Sequence, residues 1–342
     1  MLAMVVGKET IEDLKALLGE YKGKTVMVTG ATGMIGQNIV ALLEGMNSNL
    51  GAGINIIAQC RNSDKASAVF KDYSDSHNIQ YVYCDIVNLP SDLSVDYVIH
   101  TASVTGGSKQ HLLYPMNTIS VALEGTKRVL DLTLKNKARA IFLSSLEVYG
   151  YTSFDFEIIK ESDGGYIDPT NPRSSYSESK RMCECMFASY AKQYGLMTYI
   201  ARLTATFGRG VSQSDKRVFA QFANAVKDGQ DIILRSTGES ARNYCDCEDA
   251  AKALLFIMSR GVPGEAYNVA NPDTEITIKD LARLFIKVSN SKSKVIFDLS
   301  EDATSFGYNS VMRNVLDSKK LLNLGWKPRY GLDMMINHLI AE

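Results

Sequence analysis

Tyr176 and Lys180 lie four residues apart in the stretch Tyr-Ser-Glu-Ser-Lys, on one face of a predicted helix from about residue 176 to 194. An ammonium group beside a phenol favours the phenolate, so the pair predicts that Tyr176 acts as a general base near neutral pH. The pattern Tyr-x-x-x-Lys is common by chance. It becomes specific here because a glycine-rich turn lies upstream and because Ser144 and Ser145 end a predicted strand.

The glycine-rich turn follows an apolar strand near the start of the chain. The sequence TVMVTGATGMIG, from Thr25 to Gly36, predicts a buried strand, a turn and a helix. Its glycine spacing suits a tight turn, backbone approach to a pyrophosphate and close packing of helix on strand. An ordinary strand-to-helix turn is the alternative, but the flanking strand and amphipathic helix favour dinucleotide binding. The predicted cofactor-binding residues of the turn are Gly30, Thr32, Gly33, Met34, Ile35 and Gly36.

The end of the second predicted strand, residues 54–58, bears on the choice of cofactor. An NAD site usually has an acidic residue there that binds the ribose hydroxyls. This chain has Gln59-Cys60-Arg61-Asn62 instead. The missing acid and the presence of Arg61 favour the 2′-phosphate of NADP, and a surface arginine without such a role is the alternative.

Other predicted cofactor contacts follow the third and fourth strands. Asp85 ends the third strand, where it is placed to meet an adenine amino group. The small residues Thr101, Ala102 and Ser103 follow the fourth strand and allow the backbone to approach the cofactor. Lys180 is also placed to hold the nicotinamide ribose. These contacts predict a nicotinamide dinucleotide lying along one edge of the sheet.

Strand and helix patterns alternate from residue 25 to 145, which predicts a parallel, doubly wound α/β sheet. A short amphipathic helix over residues 9–21 precedes it, a loop covers 151–175, and a sixth strand covers 197–203. The segment 264–270 is predicted to return to the main sheet. We expect an N-terminal helical extension at 1–22, a dinucleotide-binding domain at 23–205 with 244–270 returning to it, and a smaller mixed substrate lobe at 206–243 and 271–342.

Composition excludes several classes of partner. The 342 residues carry a formal net charge of −1, which argues against general binding of nucleic acid or anionic membrane. No apolar run is long enough to span a bilayer and the N-terminus lacks a signal-peptide pattern, so we expect a cytoplasmic protein. The six cysteines include two Cys-x-Cys pairs with few histidines to accompany them, which favours reduced structural cysteines and no metal site.

Taken together, the motifs resemble those of the extended short-chain dehydrogenases/reductases, in the nucleotide-sugar epimerase/dehydratase family. The resemblance runs from about Lys24 to Leu339, nearly the whole chain. It rests on motifs that occur in the family's order: the glycine turn, Asp85-Ile86, His100-Thr-Ala102, Ser144-Ser145-Leu146-Glu147-Val148-Tyr149-Gly150, Tyr176-x-x-x-Lys180, Arg202 to Gly208, Arg242-Asn243-Tyr244, Tyr267-Asn268-Val269 and Leu324-Gly325-Trp326-Lys327-Pro328.

The resemblance implies a Rossmann domain that tightly binds NAD or NADP, with Ile86 also at the cofactor. It makes Tyr176 the base that takes a proton from a sugar hydroxyl, usually at C4, while hydride passes to the nicotinamide. Lys180 lowers the barrier and Ser145 hydrogen-bonds the same hydroxyl. The 4-keto sugar is then epimerised, or loses water, or loses CO2 where C6 is a carboxylate. Arg242 resembles the arginine that binds the nucleotide pyrophosphate, and Arg217 is a second candidate.

Three departures from the family pattern bear on the reaction. Leu146 stands where dehydratases have an acid that protonates the departing hydroxyl, and Leu146 also departs from the serine of sugar-acid decarboxylases. Glu147 is retained, and it is either a proton shuttle at C5 or a buried acid satisfied by backbone. Ala205 replaces a common asparagine near the substrate diphosphate, and Asp246 lies in a usually apolar segment. These departures count against 4,6-dehydration and leave the substrate open.

Three functions remain open from the sequence. The first is epimerisation or decarboxylation of a nucleotide-linked sugar, which Glu147 and Arg242 favour. The second is net reduction of a keto sugar or other carbonyl by NADPH, which Arg61 favours. The third is a cofactor-binding sensor, which the intact pair of Tyr176 and Lys180 disfavours. The resemblance also implies a homodimer in which the helices near 117–136 and 176–194 form a four-helix bundle with their symmetry mates.

Overall fold

The computed structural model describes residues 6–104, 107–152, 158–299 and 311–341. The strands of the described part are β1 (Thr25–Thr29), β2 (Asn55–Cys60), β3 (Ile79–Tyr83), β4 (Tyr97–His100), β5 (Arg139–Ser145), β6 (Met197–Leu203), β7 (Ala205–Phe207), β8 (Ile232–Leu234), β9 (Ala241–Asp246), β10 (Ala266–Val269), β11 (Asn271–Thr277), β12 (Val295–Phe297) and β13 (Arg313–Asn314). Seven of them form one sheet in the order β10-β6-β5-β4-β1-β2-β3, in which all neighbours are parallel. This is the predicted doubly wound α/β sheet.

Helices cover both faces of this sheet, because its central strands are apolar on both sides. The helices of the described part are α1 (Lys8–Lys15), α2 (Leu18–Tyr21), α3 (Met34–Leu50), α4 (Ser63–Val69), α5 (Gly107–Leu113), α6 (Pro115–Asn136), α7 (Ser175–Tyr194), α8 (Val218–Lys227), α9 (Cys247–Arg260), α10 (Ile278–Ser289), α11 (Lys319–Leu322) and α12 (Leu332–Ile340). Val26 and Val28 of β1 pack in one apolar cluster with α3 and α9, and Met27 packs in another with α6 and α7. Within the described ranges, no helix combines the length and apolarity needed to cross a bilayer.

The N-terminal segment differs from its prediction in one respect. The single helix expected over residues 9–21 is divided into α1 and α2. Leu14 and Leu17 are both fully buried, so the amphipathic pattern is satisfied although the helix is interrupted between them. Tyr21 at the end of α2 donates a hydrogen bond to the carbonyl of Leu255 at 2.8 Å, which fixes this segment to α9.

A second apolar core lies in the C-terminal part of the chain. There β9 pairs with β7, β11 and β13, and β8 pairs with β12. Phe207, Phe219, Phe222 and Phe285 pack together beside these strands. The predicted return of the chain to the main sheet is confirmed, because β10 pairs with β6 at its edge. The exact domain boundaries stay a prediction, and part of the predicted loop over 151–175, residues 153–157, lies outside the described residues.

Candidate active site

The glycine turn lies at the carboxyl end of β1 and leaves no room for side chains. Gly30 has a φ of 62°, and a Cβ there would lie 2.8 Å from the Cα of Ala102. A Cβ on Gly36 would lie 2.5 Å from the carbonyl oxygen of Gly30. Helix α3 begins at Met34, directly after the turn. The turn therefore exposes backbone N–H groups at a helix start, which suits the pyrophosphate of a dinucleotide.

We expect Gly36→Ala to abolish cofactor binding. The new Cβ would meet the backbone of Gly30 and Ala31, which cannot move aside as a flexible side chain could. Binding of NAD and NADP, measured by calorimetry, should become undetectable, whereas Gly19→Ala should bind as the parent does. A Cβ on Gly19 would meet nothing within 4 Å beyond its chain neighbours and the backbone of its own helix, so this glycine is the matched control. Normal cofactor binding by Gly36→Ala would contradict the assigned role of the turn.

The end of β2 extends two residues beyond the predicted strand and includes Gln59. The side-chain oxygen of Gln59 accepts from the N–H of Gly30 at 2.9 Å, and its nitrogen donates to the carbonyl of Cys84 at 2.7 Å. This buried amide joins the glycine turn to the segment after β3. Arg61 follows β2 and is exposed. The structure thus places an exposed cation, and no carboxylate, at the end of this strand.

The remaining predicted cofactor residues lie at the same edge of the sheet. Asp85 caps a short 3-10 helix by accepting from the N–H of Val87 at 3.2 Å, and Ile86 is buried. The hydroxyl of Thr101 donates to the carbonyl of Thr29 at 2.6 Å, so the segment of Thr101, Ala102 and Ser103 continues against β1. These residues line up along the carboxyl ends of β1, β3 and β4. Their contacts with a cofactor stay a prediction.

Tyr176 lies in the first turn of α7, and its phenol is close enough to the side chain of Ser145, at the end of β5, for that serine to lower its pKa. Burial, together with the carboxylate of Glu147, raises the pKa of Tyr176 to about 12, although Ser145, Arg217 and Arg173 act in the opposite direction. The phenol of the protein alone is therefore protonated at neutral pH. The protein alone therefore does not supply the phenolate, and the role of Tyr176 as a general base near neutral pH stays a prediction.

Lys180 contacts the backbone of β5. Its Nζ donates to the carbonyl of Leu143 at 2.7 Å and lies 5.7 Å from the centroid of the Tyr176 ring. Burial lowers the pKa of Lys180 to about 8, so the ammonium form still predominates at neutral pH. The pair does share one helix face, as its spacing predicts. Burial raises the pKa of Tyr176 and lowers the pKa of Lys180, and the spacing of the two residues in the sequence reveals neither shift.

Three further polar side chains surround Tyr176. Glu147 accepts from the hydroxyl of Ser177 at 3.3 Å and lies 3.8 Å from the guanidinium of Arg173. The ring of His111 packs on the ring of Tyr176, with centroids 4.7 Å apart. Sequence reasoning did not single out Arg173 or His111. Arg173 could have been identified from its closeness to Tyr176 in the sequence, but no sequence pattern indicates His111.

The two predicted substrate arginines differ in their surroundings. Arg217 precedes α8 and makes a fork-like ion pair with Asp215, with its closest contact at 2.6 Å. It also lies near enough to Tyr176 to lower the pKa of that phenol. Arg242 lies in β9, and its buried Nε has no hydrogen-bond partner among the described residues. A buried donor without a partner is costly, so this atom indicates a place for an anion.

A second layer of hydrogen bonds holds the ends of β5 and β6. Ser144 donates to Glu184, which also forms a buried ion pair with Arg202 at 2.8 Å. The hydroxyl of Tyr149 accepts from Arg202 at 3.1 Å and donates to Asn268 of β10. These contacts join three strands and α7 behind Ser145. They explain why the motif residues Ser144 and Tyr149 accompany the predicted catalytic residues.

Known sequences resemble this chain over most of its length. The family model described as NAD dependent epimerase/dehydratase family matches residues 26–270. UDP-glucuronic acid decarboxylase 1 of Xenopus tropicalis is 28% identical over 326 residues, covering 94% of this chain and 73% of that protein. The dTDP-D-glucose 4,6-dehydratase of Bos taurus is 26% identical over 319 residues, covering 90% of this chain and 84% of that protein.

Solved structures share the fold. The UDP-N-acetylglucosamine 4-epimerase from Methanobrevibacter ruminantium M1, in complex with UDP-N-acetylmuramic acid, has a TM-score of 0.79 at 21% identity, covering 94% of this chain and 99% of that chain. The dTDP-glucose 4,6-dehydratase from Bacillus anthracis str. Ames, in complex with NAD, has a TM-score of 0.76 at 19% identity, covering 93% and 96%. At these identities the likeness shows a common fold.

Proposed function

The chain belongs to the NAD dependent epimerase/dehydratase family, and we propose that it modifies a nucleotide-diphosphate sugar through a transient 4-keto intermediate. The proposed outcome is epimerisation or decarboxylation. Dehydration is disfavoured because Leu146 cannot donate a proton to a departing hydroxyl. The observation that carries the proposal is the grouping of Tyr176, Ser145 and Lys180 at the same sheet edge as the glycine turn.

The proposed first step is proton transfer from the C4 hydroxyl of the sugar to the phenolate form of Tyr176, which must first have released its own proton. Ser145, which is close enough to Tyr176 to lower the pKa of its phenol, would bond the same hydroxyl. When bound, an oxidised nicotinamide would accept the hydride from C4, return it later and bring a positive charge to the site. The ammonium of Lys180, 5.7 Å from the phenol ring centroid, favours the phenolate as the proton moves.

The proposed second step uses the ketone at C4, which acidifies C5. Glu147 lies beside Tyr176 and is placed to move a proton at C5. Arg173, 3.8 Å from Glu147, supports decarboxylation, since its guanidinium suits a carboxylate at C6. Loss of CO2 would break the C5–C6 bond, leave the electron pair on the enolate of the C4 ketone, and require a proton at C5. In epimerisation, the ketone would instead be reduced on its other face.

A panel of nucleotide sugars tests the proposal. The protein would be incubated with UDP-, GDP-, CDP- and dTDP-linked sugars, including a uronic acid, and products followed by mass spectrometry and NMR. An epimer keeps the mass of its substrate, whereas loss of CO2 or water lowers it. Stoichiometric oxidation of NADPH on a keto sugar, with no turnover of the panel, would instead support a net reductase. No turnover of any kind would support a cofactor-binding sensor.

We propose NADP as the preferred cofactor. Both polar atoms of the Gln59 amide are engaged within the protein, with Gly30 and Cys84, so this side chain does not offer a carboxylate-like acceptor to a ribose. Arg61 is exposed at the end of the same strand and can pair with a 2′-phosphate. Complexes of related structures contain either NAD or NADPH, so the fold accommodates both.

We expect Arg61→Ala to weaken NADP binding by about tenfold to hundredfold, the loss of one charge-assisted hydrogen bond of roughly 1.5–3 kcal/mol. NAD binding should change less than twofold, because NAD has no phosphate at that position. Titration calorimetry with both cofactors measures this difference, and Lys65→Ala on the exposed face of α4 is the control. Equal effects on the two cofactors would contradict a 2′-phosphate contact.

We also propose a homodimer formed by α6 and α7 of two copies. The two helices pack on each other within the chain, and exposed apolar side chains lie at the start of one and along the other. Met116 is 66% exposed and Met182 is 51% exposed. Light scattering should give twice the chain mass of 37.7 kDa. A mass of one chain at micromolar concentration would contradict the dimer.

A further inference from the structure

We propose that His111 is a positioning residue, whose ring holds the phenol of Tyr176 so that its oxygen faces Ser145. The inference rests on the proposed function for its kinetic consequence and on the structure for its geometry. His111 lies on α5, outside every motif of the sequence. It is 5% exposed, so its ring is part of the interior of the site.

The ring contact joins two elements that are distant in the chain. The rings of His111 and Tyr176 have centroids 4.7 Å apart and an interplanar angle of 31°, a tilted packing that aromatic pairs favour. The hydroxyl of Ser175, the neighbour of Tyr176, donates to the backbone carbonyl of His111 at 3.2 Å. Side-chain and backbone contacts thus fix α5 against the first turn of α7, which carries the proposed base.

A hydrogen bond from α6 determines the orientation of the His111 ring. Its Nδ1 lies 3.1 Å from the hydroxyl of Thr118. That hydroxyl has one proton, which it donates to the carbonyl of Tyr114 at 3.3 Å. With its proton on that carbonyl, the hydroxyl accepts from Nδ1, and this arrangement assigns the ring proton to Nδ1. The ring is consequently held from one side by α6 while its face lies on Tyr176.

The charge state of His111 suits this role. Burial and the cations of Arg173 and Lys180 lower the pKa of His111, and Glu147 acts in the opposite direction. The imidazole is therefore neutral at neutral pH. A neutral ring packs on the phenol without adding a charge beside it. His111 therefore constrains the direction of the Tyr176 phenol, whereas the charged neighbours affect its pKa.

Kinetics of His111→Ala and His111→Phe test the proposal on a substrate found with the nucleotide-sugar panel. His111→Ala should lower kcat by about tenfold to hundredfold, as expected when a reacting group is misplaced by about 1 Å, with KM within twofold of the parent. His111→Phe keeps an aromatic face and should recover much of kcat. An unchanged kcat in His111→Ala, a purely KM effect, or no recovery by phenylalanine would each overturn the proposal.

A matched control separates positioning from general stability. His338 on α12 also packs on a tyrosine ring, with centroids 5.0 Å apart, and also has a side-chain partner, Asp246, at 3.2 Å. His338→Ala should lower the melting temperature about as much as His111→Ala does, but leave kcat per folded molecule unchanged. An equal loss of kcat in both variants would mean that His111 acts through stability alone and would overturn the proposal.

A crystal structure of His111→Ala tests the geometry without any substrate. We expect the Tyr176 side chain to leave Ser145 or to show more than one conformation. An unchanged position of the Tyr176 side chain beside Ser145 would overturn the proposal even if the protein acts on nucleotide sugars. Conversely, a displaced Tyr176 in a protein that turns over no member of the panel would leave the positioning role supported and the proposed function refuted.

Discussion

Replacing Tyr176 with phenylalanine should lower turnover by about 10²–10⁴-fold, the range that a general acid–base group contributes. Phenylalanine keeps the ring that packs on His111, so α5 and α7 stay in place. It removes the phenol oxygen that lies near Ser145 and that is proposed to take the C4 proton. Cofactor binding should be unchanged within twofold, because the glycine turn is on a different element.

The measurement is turnover on a substrate of the panel, with cofactor content read from absorbance of the purified protein. Tyr194→Phe provides the control, since Tyr194 lies at the other end of α7 and is 48% exposed. It should retain the activity of the parent. Parent-like activity in Tyr176→Phe would remove Tyr176 from the mechanism, and loss of cofactor together with activity would point to a structural effect.

The parts of the fold that depend on local pattern could be predicted from the sequence. Alternating apolar strands and amphipathic helices suffice for β1, β4, β6 and the helices between them, because each buries a face that its own sequence defines. The division of the N-terminal helix could not be predicted in this way. The burial of Leu14 and Leu17 is compatible with one helix or with two, and packing against α3 and α9 decides between these possibilities.

The contents of the site were predictable where spacing brings residues together, as with Tyr176 and Lys180 on α7. The protonation of Tyr176 was not, because it depends on burial and on charges contributed by separate segments. His111 was missed for a related reason. Its contact with Tyr176 exists only once α5 packs against α7, and a lone histidine before α6 has no periodicity or motif around it.

The ion pair of Arg217 could not be predicted from the sequence either. Its fork of hydrogen bonds goes to Asp215, two residues away, so the guanidinium is already engaged by an anion of the protein itself. Arg242 has no such partner for its Nε among the described residues. In the sequence, Arg217 and Arg242 offer the same guanidinium group. Their local surroundings make Arg242 the better candidate for a diphosphate, because binding there breaks no existing ion pair at that atom.

Replacing Arg242 with alanine should weaken binding of a nucleoside diphosphate by about tenfold to several hundredfold. A charge-assisted hydrogen bond contributes roughly 1.5–3 kcal/mol, and an arginine fork can make more than one to a diphosphate. The free protein should not lose stability through Nε, since that atom has no partner to lose among the residues described. Calorimetry with UDP, GDP, CDP and dTDP, and thermal unfolding without ligand, measure the two effects.

Two further variants decide whether geometry or charge is responsible. Arg242→Lys keeps the charge but loses the planar fork, so we expect its binding to lie between the parent and the alanine variant. Arg283→Ala removes an exposed arginine on α10 that pairs with Asp280, and should bind as the parent does. If Arg242→Ala bound every nucleoside diphosphate as tightly as the parent, the buried Nε would not face the diphosphate, and the substrate would have to be held by Arg217 or elsewhere.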